Sequence, residues 1–266
     1  MNKKIYLDKI LKVLLEDKDI DVSDSLNEKI KLWEKLVFNE ELEKISDSVL
    51  IDEDKFLRLD LINRKLTDGE KLRTIDATID SKIKYNNKIA LWEGDIITIY
   101  ADVLVNSTTK DMLGLEVEEG TIDYDIFLRS GMRLRKKCNE ILQGKELELT
   151  EVLITRAYNI PSDFIIHVVV PDFDEKEKKE SLVSLKMCYM NVLECAKNNM
   201  ARTIVLPCLG TGKHGFNKME SAKVAIEAVN IFLKNNEKEI DKIIFNVFDD
   251  ENYDIYKELL VGEKDA

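Results

Sequence analysis

The sequence predicts a three-layer α/β/α domain behind a helical extension. From Lys88 onward, short apolar runs rich in Val and Ile alternate with stretches of helical apolar spacing, the pattern of a sheet covered by helices on both faces. Before that point the apolar spacing is helical, which divides the 266 residues into an extension over 1–86 and a sheet domain over 87–266. A glycine-rich loop joins one of the later apolar runs directly to a helical stretch.

In the extension, Ile5, Ile10, Val13 and Leu14 begin one amphipathic helix. Leu26, Ile30, Trp33, Leu36 and Val37 mark a second, after an N-cap at Ser23 or Ser25, and Phe56, Leu59 and Ile62 a third. These faces form either a lid or partner-binding layer, or plain packing against the main core. In the sheet domain, strands are expected at Ile89-Ala90-Leu91-Trp92, Val103-Leu104-Val105-Asn106, Val152-Leu153-Ile154-Thr155, residues 164–170, Thr203-Ile204-Val205-Leu206 and residues 242–248. Between them, Phe127, Gly131, Leu134, Cys138 and Ile141 set one helix face. Leu182, Leu185, Tyr189, Val192 and Ala196 set another, and residues 253–260 close the chain. Ligands of such sheets bind beyond the carboxyl ends of the strands. That groups Asp95, Asn106 and the segment after it, residues 207–216 and Phe248-Asp249-Asp250 at one rim.

The glycine loop reads Leu206-Pro207-Cys208-Leu209-Gly210-Thr211-Gly212-Lys213-His214-Gly215-Phe216. Pro207 cannot donate a ladder hydrogen bond and ends the strand. The glycines permit positive φ and leave backbone N–H groups uncovered. Asn217, with Glu220 three residues on, starts a helix with a capping-box pattern. Strand, glycine loop and helix together make a phosphate cradle. A Walker A loop is excluded, because Pro207 stands at its first glycine and His214 at its Ser/Thr. Gly210-x-Gly212-x-x-Gly215 matches a dinucleotide fingerprint literally, but late in the chain and with its helix starting after the last glycine. An ordinary strand-to-helix loop is the third reading.

Composition narrows the partners. A net charge of −12 argues against nucleic acid, whereas backbone amides can hold a small phosphorylated ligand without lysines. No apolar run approaches a membrane span, and the N-terminus lacks an apolar secretion segment. Cys138, Cys188, Cys195 and Cys208 lack C-x-x-C spacing and read as reduced thiols of a cytoplasmic protein with no cofactor.

Residues 88–260 resemble a macrodomain, the ADP-ribose-binding fold. The resemblance is carried by Gly94-Asp95-Ile96, by Ala101-Asp102-Val103-Leu104-Val105-Asn106 and by Ile154-Thr155-Arg156-Ala157-Tyr158-Asn159-Ile160-Pro161. Phe164-Ile165-Ile166-His167 and Gly210-Thr211-Gly212-Lys213-His214-Gly215-Phe216 complete it, in the family's order. It implies a mixed, largely parallel six-stranded sheet. Asp95 would then bind the adenine amino group, with Ile96 beside it. Asn106 would face the distal ribose. Gly210, Thr211, Gly212, Lys213, His214 and Gly215 would wrap the diphosphate. Phe216 would pack near the ribose and Phe248 near the adenine. The helices before Leu91-Trp92-Glu93-Gly94-Asp95 resemble those of the zinc-dependent bacterial macrodomains, which are ADP-ribosylhydrolases.

Departures from the family pattern are informative. Thr109 replaces a second asparagine at the ligand. Leu113-Gly114 is followed by Leu115-Glu116-Val117-Glu118-Glu119-Gly120-Thr121, without the Cys and His of the zinc subgroup, so no metal is expected. Glu116, Glu118 and Glu119 suit a loosely held hard cation or a solvated loop. His167 reads as a structural histidine in an apolar strand, and His214 as a group that touches phosphate when protonated. Asp123 is the candidate for positioning water, at a helix N-terminus whose dipole favours the carboxylate and weakens it as a base; capping that helix is its alternative role. Two functions are implied: hydrolysis of the bond joining ADP-ribose to a protein side chain or an acetyl group, or recognition of ADP-ribose or an ADP-ribosylated protein without chemistry.

Overall fold

The structure, a computed structural model, describes residues 3–16, 18–38, 45–112, 114 and 118–262 of the chain. Three helices form first: α1 (Lys3–Leu14), α2 (Leu26–Val37) and α3 (Asp47–Leu61). A connecting segment carries β1 (Thr67–Asp68) and the short α4 (Ile75–Thr78). The sheet domain then runs β2 (Ile89–Glu93), β3 (Ile99–Tyr100), β4 (Val103–Thr108), α5 (Ile122–Ser130), α6 (Met132–Leu142), β5 (Val152–Arg156), β6 (Phe164–Val169), α7 (Lys178–Asn198), β7 (Thr203–Leu206), α8 (Lys218–Asn236), β8 (Lys242–Val247) and α9 (Asp250–Val261). Among the described residues no helix is long and apolar enough to cross a membrane.

Six strands make the main sheet in the order β2-β8-β7-β4-β6-β5. Every neighbouring pair is parallel except β5 with β6. Successive side chains of a strand point to opposite faces, and the two cores obey that alternation. Leu104, Ile165, Val205 and Ile244 enter the core shared with α1, α2, α3, α5 and α6. Val103, Ile166, Ile204 and Ile243 enter the core shared with α7, α8 and α9. The sheet is therefore the middle of three layers, and the extension thickens one of the outer two. β1 pairs in parallel with β3 in a separate two-stranded sheet.

The helix face expected over 127–141 is two helices. Gly131 adopts φ 88°, a conformation that L residues avoid. A Cβ there would lie 2.8 Å from Glu53 Oε2 and 2.9 Å from a Leu57 methyl, so α3 approaches the break closely. Glu53 Oε2 in turn accepts the Met132 N–H at 2.7 Å, replacing the bond a continuous helix would have made. Ile62 lies beyond the end of α3 and is 73% exposed; apolar spacing overran the helix by a residue. Likewise β8 stops at Val247, leaving Phe248 outside the strand.

Candidate active site

Parallel strands bring their carboxyl ends to one rim, and strand order sets which segments meet there. Asp95 and Ile96 come after β2, Phe248 and Asp249 after β8, residues 207–214 after β7, and Ser107 is the penultimate residue of β4; groups from all four line one cleft of about 310 Å³. Strands are spaced about 4.8 Å apart, so the cleft spans roughly 14 Å of sheet. Gly120, Thr121, Ile122, Asp123 and Asp125, at the start of α5, line it as well.

The loop after β7 is braced from below. Leu209 N–H donates to Tyr189 Oη at 2.9 Å, and Ser221 Oγ donates to the Leu209 carbonyl at 2.7 Å. Thr211 Oγ1 donates to the Cys208 carbonyl at 2.9 Å. Phe216 and Gly215 N–H groups donate to the carbonyls of Gly210 and Gly212, both at 3.1 Å. The loop's carbonyls are thus turned inward. The N–H groups of Gly210, Gly212, Lys213 and His214 make no hydrogen bond within the described residues. A row of such donors is an anion site. Gly210 has φ 81°, and a Cβ on it would meet the Phe216 ring at 2.7 Å. A Cβ on Gly212 would meet nothing within 4 Å. Asn217 Oδ1 then accepts Glu220 N–H at 3.1 Å and starts α8, as its spacing predicts.

A buried polar chain lies behind the Asp123 wall. Asn106 Nδ2 donates to Asp123 Oδ1 at 2.5 Å and lies 3.2 Å from His167 Nδ1. His167 Nε2 is 2.9 Å from Thr155 Oγ1. An amide nitrogen only donates, so His167 Nδ1 accepts and its Nε2–H donates to Thr155. Burial, which pushes the His167 pKa down to about 3, keeps the ring in this neutral form. His167 thereby fixes which way the Asn106 amide faces. Asp123 is 3% exposed. Burial raises its pKa to about 6, against the opposing effects of the Asn106 hydrogen bond and the Lys213 charge. This reverses the expectation from the helix dipole: desolvation outweighs it. Asp123 does not cap α5 either. Thr121 is the N-cap and accepts the Tyr124 N–H, with Asp123 inside the first turn.

At the β2 end, Asp95 Oδ1 accepts the Ile97 N–H at 3.2 Å, and Oδ2 lies 3.5 Å from Arg64 Nη1. Phe248 is 77% exposed on the cleft. Asp125, beside them, has its pKa raised by burial and by the Asp95 charge.

The cleft therefore collects Asp95, Ile96, Asp123, Gly210, Thr211, Gly212, Lys213, His214 and Phe248 from the sequence-derived set. Asn106 lies directly behind it. Phe216 is a buried core residue beneath Gly210, 3% exposed, and Gly215 is not among the lining residues. Thr109 turns its hydroxyl to Asp111, at 2.7 Å. His214 Nδ1 contacts Asp172 at 2.8 Å. Sequence reasoning passed over Asn246 and Asn252, polar residues that signal nothing until strand order places them on the cleft, whereas Asp249 and Ser107 lie where it grouped them. Cys208 also lines it, but burial pushes its thiol up to about 12, which keeps it protonated. Within residues 113–117 only Gly114 is described; Leu113, Leu115, Glu116 and Val117 lie outside the described residues. Among those described, no three His, Cys, Asp or Glu side chains converge as a metal cluster.

The Macro domain family model matches residues 105–225, the stretch from β4 to the start of α8 that carries Asn106, Asp123 and the glycine loop. A protein-ADP-ribose hydrolase of Staphylococcus aureus (strain MSSA476) is 31% identical over 218 residues, 80% of this chain and 78% of that protein. An ADP-ribose glycohydrolase MACROD2 of Xenopus laevis is 30% identical over 241 residues, 88% of this chain and 55% of its own length. The Oceanobacillus iheyensis macrodomain, solved with ADP, superposes with a TM-score of 0.59 at 31% identity, covering 66% of this chain and 92% of that one. On these likenesses the chain belongs to the Macro domain family.

Proposed function

We propose that this chain binds ADP-ribose along the cleft and hydrolyses the bond joining it to a protein side chain or an acetyl group. Strand order matches the ligand's own order. The adenine lies by Asp95, Ile96 and Phe248, the diphosphate on the N–H groups after β7, and the distal ribose by Asn106 and Asp123. The names of the relatives, protein-ADP-ribose hydrolase and ADP-ribose glycohydrolase, support the same reaction.

The observation that carries hydrolysis is Asp123: a buried carboxylate on the cleft wall, held by Asn106, with a pKa of about 6. A group titrating near neutrality is suited to general base work at pH 7. Asp123 orients a water toward the anomeric carbon and takes its proton as the new C–O bond forms. The bond from that carbon to the acyl or side-chain oxygen breaks, and the electron pair leaves with that oxygen. The bound diphosphate lies close enough along the ligand to stabilise positive charge developing at the sugar. Water activation is assigned to Asp123 because residues 108–137 contain no Cys or His to hold zinc. The division at residue 86/87 into a helical extension and a macrodomain belongs to this proposal, as does a cytoplasmic site of action without nucleic-acid or membrane partners.

A second reading, recognition without turnover, is favoured by Thr109, whose hydroxyl donates its proton to Asp111 and so lacks the free amide donor of the asparagine it replaces. Calorimetry with ADP-ribose, followed by product analysis on aspartate-, glutamate- and serine-linked substrates and on O-acetyl-ADP-ribose, separates the two. Binding with release supports hydrolysis, binding alone supports recognition, and no heat at millimolar ADP-ribose refutes both.

A further inference from the structure

The β2 end of the cleft carries an ion network that begins in the extension. Arg64, just after α3, places Nε and Nη2 at 3.4 and 3.3 Å from Asp60 Oδ2, while its Nη1 reaches Asp95. Asp60 is itself anchored by Lys3 of α1 at 2.8 Å and lies 3.7 Å from Arg129 of α5. Burial works to raise the Asp60 pKa, but the Lys3 bond and the charges of Lys3, Arg129 and Arg64 hold it below its ordinary value. The guanidinium is therefore fixed at one edge and presents its remaining corner to Asp95. A planar fork held in this way restricts a carboxylate's orientation where a flexible ammonium would not. Asp125 supplies the opposing force, since its charge and that of Asp95 repel. Without Arg64, the Asp95 carboxylate is held by the single Ile97 N–H bond and is pushed from the Asp125 side.

We propose that Arg64 is a positioning residue that sets the Asp95 carboxylate for the 6-amino group of adenine, so that base selectivity at this site depends on the helical extension. The inference rests on the ADP-ribose reading of the cleft. A carboxylate oxygen accepts from a 6-amino group and repels a 6-oxo group. Discrimination between the two depends on how firmly that oxygen is held.

The test is calorimetry on the full chain with ADP-ribose and with inosine diphosphate ribose, which carries a 6-oxo base. In the wild type, ADP-ribose binds more tightly. Arg64→Ala is expected to raise the Kd for ADP-ribose by about tenfold, the scale of one charge-assisted hydrogen bond, while moving the 6-oxo ligand far less, so that discrimination collapses. Arg64→Lys, which keeps charge toward Asp60 but loses the fork, gives an intermediate ratio, and it carries the comparison should Arg64→Ala not fold. Turnover at saturating substrate is unchanged. A lowered Tm with the ratio of the two Kd values intact means that Arg64 is only structural, and overturns the inference. Wild-type protein that binds neither ligand refutes the reading of the cleft itself, and the inference with it.

Discussion

The Asn106 side-chain amide donates to Asp123 Oδ1 at 2.5 Å, and this bond joins β4, two residues before its end, to the first turn of α5. Each partner keeps one buried oxygen, Asn106 Oδ1 and Asp123 Oδ2, that has no hydrogen bond among the described residues. Leaving buried polar atoms unpaired is costly, and proteins tolerate it where ligand chemistry needs those atoms.

Asp123→Asn separates that role from a structural one. The Asp123 pKa in the fold, about 6, lies above its ordinary 3.8. Its contribution to stability is therefore fully present below about pH 3.8 and is lost as pH rises through about 6. At pH 8 the buried charge costs on the order of 3 kcal/mol, which the neutral amide avoids. The variant is expected to melt above the wild type at pH 8 and close to it at pH 4, while turnover falls roughly 10²-fold or more. ADP-ribose affinity stays within about threefold. Thermal melts with single-turnover release check this; a lower Tm at pH 8 with intact turnover returns Asp123 to a structural role.

The same group dictates the pH profile. A base must be ionised, so release at saturating substrate should fall about tenfold per pH unit below an apparent pKa near 6. A rate that stays flat down to pH 4 assigns water activation elsewhere.

Gly212→Glu tests the anion loop without disturbing the fold. A Cβ at Gly212 meets nothing within 4 Å, so the unliganded protein should melt as the wild type does. The added carboxylate occupies the diphosphate position and repels it, and calorimetric binding of ADP-ribose is expected to vanish. Retained binding would move the diphosphate off this loop.

Metal removal should be silent. Structural zinc couples to folding, so chelator treatment of a zinc-dependent protein lowers its Tm. Here an unchanged Tm and unchanged release are expected, and stoichiometric zinc in purified protein defeats the assignment of water activation to Asp123.

The six strands were legible because each is a short apolar run closed by a polar or proline residue, and buried parallel strands have few other sequences open to them. The loop after β7 was legible from its glycines and from the Asn217 cap. The roles of Asn106 and Asp123 were legible only through resemblance to a family, since an asparagine late in a strand and an aspartate early in a helix occur in every α/β protein. The raised pKa of Asp123 was hidden, because burial depends on α5 lying over β4. Arg64 was hidden for the same reason: its partner Asp95 is 31 residues away across a tertiary contact. The break at Gly131 went unread because its neighbours keep helical spacing on both sides; the helix is interrupted by Glu53, brought in by α3.

That last contact bears on whether residues 87–266 fold alone. All six strands of the main sheet lie within them, which argues for independence. Two side chains argue against it more strongly. Lys242 of β8 is 9% exposed and sends its ammonium to the carbonyls of Gly69, Glu70 and Leu72, at 3.1, 2.5 and 2.7 Å. Glu53, fully buried, accepts both the Met132 N–H and, at 3.3 Å, the Trp33 indole N–H. A chain beginning at residue 87 lacks the three carbonyls that bind Lys242 and the Glu53 acceptor at the start of α6, and it bares the sheet-side apolar face that Trp33, Phe56 and Leu57 cover. Exposing apolar surface costs about 25 cal/mol per Å², against a typical total stability of roughly 5–15 kcal/mol. The short chain is therefore expected to be insoluble or to melt far below the full chain. Lys242→Met sharpens the test by acting on the full chain alone. In the full chain it leaves three carbonyls unpaired and lowers the Tm; in the short chain, where those carbonyls are absent, the Tm is expected to change little. If residues 87–266 melt with the full chain and bind ADP-ribose equally well, the extension is an appendage, and base selectivity cannot depend on Arg64.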